Sequence, residues 1–163
     1  FNNSYRYIQF AITNQFYMIS NAAGIDYYQV LNAMTHNYPR AEGMPSAGLT
    51  AGPCLFKDTM QLAAFARNQF GLGHSAMLVN EGLALHIIDR LRKLFPLGEM
   101  TVGLLGMAFK ADIDDNRSSL SYKLRKLLTF RAAHVLCADP YVVDDRLVTE
   151  DEVLAGEQFG GRI

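Results

Sequence analysis

The sequence predicts an α-helical domain followed by the start of an α/β domain with a parallel sheet, and three patterns carry that expectation. Apolar residues recur at three-to-four spacing through most of residues 3–95, interrupted by one proline- and glycine-bearing stretch. Two short apolar runs, Thr101-Val-Gly-Leu-Leu-Gly106 and Ala133-His-Val-Leu-Cys-Ala138, appear only after Pro96 and Gly98. Between them, Ser119 to Phe130 places apolar residues at helical spacing with Lys and Arg opposite. Strand, helix, strand in that order is a βαβ unit, the opening of a parallel sheet. The boundary falls near residue 99, giving a helical domain over 1–98 and an α/β domain over 99–163.

The elements follow in order. From Asn3 to Ala23, the residues Tyr5, Ile8, Ile12, Phe16 and Ile19 form one helical stripe, while Tyr7, Phe10, Tyr17 and Met18 fill the other faces. A helix apolar nearly all round is expected between other elements or in a subunit interface. Gly24 suits its C-terminal cap, and Asp26 with Gln29 resembles a capping box opening a second helix to about Asn37. Residues 38–53 carry three prolines and three glycines without a periodic apolar face, and are expected to be loop. A helix is then expected from Leu55 to Gln69. Another, from His74 to Phe95, carries Met77, Leu78, Leu85, Ile88 and Leu91 on one side. At about 1.5 Å per residue it would be roughly 33 Å long.

Composition bounds the function classes. The 163 residues are 50% apolar and 19% charged, which excludes disordered and low-complexity chains. Fifteen Lys and Arg against sixteen Asp and Glu give a net charge of −1, with no electrostatic footprint for nucleic acid or an anionic membrane. Two cysteines are too few for a disulfide framework and suggest a reducing compartment. Without a spanning stretch or a signal pattern, the expectation is a cytoplasmic protein. The chain starts at Phe1 and ends in Gly160-Gly161-Arg162-Ile163, and reads as a piece of something larger.

The segment richest in chemistry is Ser46-Ala-Gly-Leu-Thr-Ala-Gly-Pro-Cys-Leu-Phe-Lys-Asp58. Cys54 follows a glycine-containing loop at the start of a helix, where unpaired N–H groups and the helix dipole favour a thiolate. Lys57 and Asp58, three and four residues on, share roughly its helical face. A nucleophile, a cation and a carboxylate are thereby gathered. The same residues also suit a packing cysteine beside a helix-start charge pair, and composition alone favours that reading.

Motif detail adds a resemblance. Gly52-Pro-Cys-Leu-Phe-Lys-Asp58 resembles the Gly-x-Cys-x-x-Lys-Asp signature of the UDP-glucose/GDP-mannose dehydrogenase family. Gly106-Met-Ala-Phe-Lys-Ala-Asp-Ile-Asp-Asp-Asn-Arg-Ser-Ser-Leu-Ser121 resembles the same family's Gly-x-Ala-Phe-Lys…Asp-Asp-x-Arg-x-Ser-Pro-Ser segment. Asn3 to Asp26 is similar to its first central helix, and Ala138-Asp-Pro-Tyr141 to its Tyr-Asp-Pro turn. The detail leans toward the branch acting on UDP-N-acetylhexosamines.

The resemblance implies a helical central domain followed by the start of a Rossmann-like UDP-binding domain. It also implies two oxidations at the sugar C6 with two NAD⁺, through a cysteine thiohemiacetal and thioester to a uronic acid. On it, Cys54 is the nucleophile, Asp58 assists water or proton transfer, and Asn3 helps hold the water and the oxyanion. Loop residues Pro45, Ser46, Ala47, Gly48, Leu49, Thr50 and Ala51 wrap the sugar nucleotide, and Arg40 reaches a neighbouring subunit's site. Phe109 and Lys110 touch the UDP part, Lys57 and Arg117 lie near the NAD, and the central helices pair into a homodimer. No metal is implied.

Departures accompany the match. The usual Gly-Gly before the cysteine is Ala51-Gly52, and the usual Pro after Arg-x-Ser is Leu120. The family's catalytic lysine would lie four residues before Asn3, so the chain alone is expected to be inactive. One rival is a catalytically incomplete helical dimerisation fragment of such an enzyme. Another is an unrelated thiol hydrolase, which no His context near Cys54 supports. Gly103-Leu-Leu-Gly106 with Asp139 loosely suggests a dinucleotide fold, but the full glycine fingerprint is missing, and glycine at a strand-to-loop turn explains it better. His36, His74, His86 and His134 lack ligand spacing for zinc. Asp112, Asp114 and Asp115 lack the calcium-loop pattern and read as a solvated acidic loop. Cys137, inside a strand, is expected to be inert core.

Overall fold

The computed structural model describes residues 1–155. It contains α1 (Asn2–Ala22), α2 (Tyr27–Thr35), a 3₁₀ turn at Pro39–Ala41, α3 (Leu55–Phe65), α4 (Gly71–Leu94), a second 3₁₀ turn at Leu97–Glu99, β1 (Thr101–Leu105), α5 (Leu120–Leu128), β2 (His134–Ala138) and α6 (Glu150–Ala155). A helical region thus precedes a small parallel sheet, as the periodicity predicts. Two compact units result: residues 1–50 with 54–83, and residues 51–53 with Ala84 onward. Among the described residues no helix is long and apolar enough to cross a membrane.

In the first unit α1 packs against α3 and α2. Tyr7, Ala11 and Ala76 form a buried core, edged by Ile8, Leu55, Met77 and Val79. α1 ends as its glycine foretells. The Ile25 N–H reaches the Ser20 carbonyl at 2.9 Å and the Gly24 N–H reaches Asn21 at 3.1 Å, the paired bonds of a Schellman cap. Asp26 then caps α2 by accepting the Tyr28 N–H at 2.9 Å.

The face α1 buries differs from the one its apolar stripe marks. Its buried residues are Ser4, Tyr7, Ala11, Thr13, Asn14 and Ser20. Tyr5, Ile12, Phe16 and Ile19 are exposed, Tyr5 by 64% and Ile19 by 57%. Apart from Tyr7, the residues α1 buries are small or polar, while Tyr5, Ile12, Phe16 and Ile19 point outward. Boundaries also shift. α3 stops at Phe65, four residues before Gln69, because Arg67 and Asn68 take positive φ and the Asn68 N–H closes back on Ala63. α4 starts at Gly71 instead of His74, and the 38–53 stretch is loop apart from its 3₁₀ turn.

In the second unit β1 and β2 pair in parallel, Thr101 opposite His134 through Leu105 opposite Ala138. α5 presents Leu120, Leu124 and Leu128 at i, i+4, i+8 and buries all three. Its N-cap is Ser119, which accepts the Ser121 N–H. α6 went unpredicted. Thr149 and Glu152 form its capping box: the Glu152 carboxylate accepts the Thr149 N–H at 2.8 Å, and Thr149 Oγ1 accepts the Glu152 N–H at 3.2 Å. α6 places Val153 over the sheet. A Cβ on Gly103 would stand 2.5 Å from Val153 Cγ1, so Gly103 is a mid-strand packing residue. The turn expected of both glycines is made by Gly106 alone, at φ +93°.

Candidate active site

The first turn of α3 carries the chemistry. Cys54 is the N-cap residue, with an exposed side chain, and its carbonyl accepts the Asp58 N–H at 2.9 Å. Packing of α1 on α3 brings Asn3 to this turn, where its Nδ2 donates to Asp58 Oδ2 at 2.7 Å. Lys57 Nζ lies 3.5 Å from the other carboxylate oxygen. The Asn3 hydrogen bond, with the Lys57 charge, holds the Asp58 carboxyl below its ordinary range against a smaller opposing effect of desolvation. An exposed thiol, an ionised carboxylate and an amide therefore meet at one helix end. Arg40 sits exposed in the Pro39–Ala41 turn.

Two features of the approach to Cys54 have no local sequence signal. Asn14, fully buried on α1, accepts the Gly48 N–H at 2.9 Å and donates to the Gly48 carbonyl at 3.1 Å. Gly52, two residues before the cysteine, has φ +109°. A Cβ there would fall 2.9 Å from Phe109 Cδ2, so the aromatic ring occupies the space a side chain would need.

Phe109 belongs to the loop leaving β1, which Asp139 at the end of β2 organises. One Asp139 carboxylate oxygen accepts the N–H groups of Met107 (2.6 Å) and Ala108 (2.9 Å). The other accepts those of Tyr141 (2.8 Å) and Val142 (3.0 Å). Desolvation opposes the charge, yet these four donors outweigh it and hold the carboxyl below its ordinary value. Further along, the Phe109 N–H donates to the Asp115 carbonyl and Lys110 Nζ stands 6.0 Å from the Phe109 ring centre. Arg117 forks onto the Asp115 carboxylate, whose pKa that bond pushes down to about 2.

Residues 1–82 match the central domain of the UDP-glucose/GDP-mannose dehydrogenase family, and residues 103–158 its UDP binding domain. The chain belongs to the UDP-glucose/GDP-mannose dehydrogenase family. A UDP-N-acetyl-D-mannosamine dehydrogenase of Pyrococcus horikoshii is 28% identical over 148 residues, which are 86% of this chain and 34% of that protein. The UDP-glucose 6-dehydrogenase AglM of Haloferax volcanii is 31% identical over 148 residues, 88% of this chain and 34% of its own length. The chain thus spans about a third of these relatives. Among solved structures, the UDP-D-ManNAc dehydrogenase of P. horikoshii superposes with a TM-score of 0.79 at 26% identity, covering 93% of this chain and 37% of that one. A UDP-glucose dehydrogenase from Pyrobaculum islandicum gives the same TM-score at 25% identity, over 96% and 39%.

Within this family member the two thiols are sharply different. Cys54 is exposed, whereas Cys137 is 2% exposed in β2 and its burial pushes its thiol pKa up. Iodoacetamide at neutral pH should label Cys54 well before Cys137 in the folded chain, with the preference lost in denaturant. Mass-spectrometric mapping of the labelled peptides checks this, and equal native rates would contradict it.

Proposed function

We propose that this chain is the nucleophile-bearing part of an NAD-dependent dehydrogenase that oxidises a UDP-sugar at C6 to the uronic acid, with a UDP-N-acetylhexosamine as the first candidate substrate. The observation that carries this reading is the Asn3–Asp58–Lys57 cluster on the turn that begins at exposed Cys54. The UDP-N-acetyl-D-mannosamine dehydrogenase of P. horikoshii, among the relatives, supports the substrate class.

NAD⁺ supplies hydride acceptance, one hydride from C6 in each of two oxidations. Lys57 and Arg117 would lie near it; their side chains are 58% and 73% exposed, each beside its own carboxylate partner, Asp58 and Asp115. The first oxidation removes a hydride and a proton from the C6 alcohol and leaves an aldehyde. Cys54 Sγ adds to that carbon, forming a C–S bond and a thiohemiacetal. Loss of the second hydride from C6 together with the hydroxyl proton leaves a thioester. Water then attacks C6 while Asp58 takes its proton, the C–S bond breaks, the uronic acid departs and the thiolate is restored. Asn3 gives one Nδ2 hydrogen to Asp58, and its second hydrogen can hold the developing oxyanion.

The loop Pro45, Ser46, Ala47, Gly48, Leu49, Thr50 and Ala51 would wrap the sugar nucleotide, and Phe109 and Lys110 would touch its UDP part. Arg40 would reach a neighbouring subunit's site. The outward stripe of Tyr5, Ile12, Phe16 and Ile19 supports pairing of this chain with a second copy, since exposed apolar patches of that kind mark contact surfaces. A catalytic thiol that must stay reduced is in keeping with the cytoplasm. The test is stoichiometry: the dehydrogenase containing this segment should form two NADH per UDP-N-acetylmannosamine consumed. One NADH per sugar with aldehyde released, or none, would overturn the reading.

A further inference from the structure

We infer that Asn14 is a positioning residue for the approach to Cys54, its buried amide fixing the backbone of the Pro45–Ala51 loop at Gly48. The inference deepens the proposed function and rests on reading that loop as the sugar-nucleotide wrap.

Asn14 lies eleven residues after Asn3, about three turns along α1 and therefore on nearly the same face. It is fully buried, and all its polar capacity is directed. Oδ1 accepts the Gly48 N–H at 2.9 Å, and Nδ2 donates both to the Gly48 carbonyl (3.1 Å) and to Asn80 Oδ1 (2.9 Å). Asn80, equally buried on α4, donates in turn to the Tyr7 carbonyl at 3.0 Å. The chain of amides thus starts on the α1 backbone and ends on a loop residue, gripping Gly48 at both its N–H and its C=O as a neighbouring strand would.

Gly48 itself is exposed and in no helix or strand, with open space around the position of a Cβ. Its carbonyl takes a second donor, Thr50 Oγ1 at 3.3 Å. Loop peptides of this kind ordinarily bond to water and sample many conformations. Here both backbone polar groups of one residue are committed to the interior, six residues before the nucleophile. A buried asparagine inside a helix is costly unless every donor and acceptor is met. Asn14 meets its own only by holding the loop.

Amide hydrogen exchange on the 163-residue chain tests this. In Asn14→Ala, exchange at Gly48 is expected to rise about tenfold or more, the loss expected of a hydrogen bond with a buried partner. Cys54 alkylation should change severalfold, while β1 and β2 amides keep their wild-type rates. Should Asn14→Ala fail to fold, Gly48→Pro decides, because it deletes the N–H at an exposed position. It should raise exchange at Leu49 and Thr50, whereas Gly48→Ala keeps both bonds and should match the wild type. Wild-type exchange at Gly48 in folded Asn14→Ala, or at Leu49 and Thr50 in Gly48→Pro, overturns the clamp. A separate titration with UDP-N-acetylmannosamine addresses the substrate reading: amide shifts at residues 46–51 support it. Shifts confined elsewhere overturn that reading, with the clamp decided by exchange alone.

Discussion

Cys54→Ala is expected to abolish uronic acid formation in the dehydrogenase containing this segment, by roughly 10³-fold or more, as for removal of other covalent nucleophiles. The size follows from what the thiol would do. Without Sγ no thiohemiacetal forms, so the second hydride must leave from an aldehyde with no covalent anchor. Asp58 and Asn3 would remain in place, since their hydrogen bond does not involve the cysteine side chain. The loss should therefore be catalytic and leave folding intact, with unchanged circular dichroism and unchanged affinity for UDP. Cys137→Ala is the control. That thiol is buried in β2, and its removal should lower stability yet leave the rate per folded molecule unaltered. Retention of more than a tenth of wild-type turnover by Cys54→Ala would exclude a covalent cysteine mechanism.

Asp139→Ala should destabilise the α/β unit by about 3 kcal/mol at neutral pH. Four backbone N–H groups on two segments, 107–108 and 141–142, lose their acceptor at once. Water can recover part of that, which keeps the figure below the sum of four charge-assisted bonds. The carboxyl is held below its ordinary value of 3.8, so its stabilisation is complete above that pH and fades as pH falls through the lower, folded-state value. Denaturant midpoints should therefore separate wild type and variant widely at pH 7 and draw together on acidification below about pH 4. A gap that stays constant into that range would show that the carboxylate charge is not what holds the loop. Exchange at the Met107 and Ala108 amides gives the local readout.

What the sequence reveals depends on how far apart the interacting residues lie. Periodicity places α1, α3, α4, α5 and both strands because each signal is contained within one element. The three-and-four spacing of Cys54, Lys57 and Asp58 is likewise local. Asn3 is different: it meets Asp58 across 55 positions, and only the family resemblance links the two in the sequence. The Asn14–Asn80 pair spans 66 positions, and Asp139 reaches back 32 to Met107. No pattern in either neighbourhood announces a partner. α1 shows the other limit. Its apolar stripe is evident from spacing, but spacing alone does not say whether a stripe faces the chain's own core or the outside. The Thr149-Glu-Asp-Glu152 capping box was legible and simply precedes a helix too short for a periodic signal.

The close approach of Phe109 to Gly52 bears on which changes evolution can accept before the nucleophile. The family signature has glycine at both positions, and this chain has Ala51-Gly52. The two sites are not equivalent under substitution. At 51 the backbone has no positive φ, and a methyl group is accommodated. At 52 two independent prohibitions coincide: a backbone conformation that L side chains rarely adopt, and an aromatic ring already standing where the first side-chain carbon would go. A drifting lineage could therefore lose the first glycine at little cost, while at the second a smaller residue at 109 would lift only the steric bar and leave the backbone one in force. Position 52 should therefore stay glycine among homologues whatever stands at 109, and position 51 should vary.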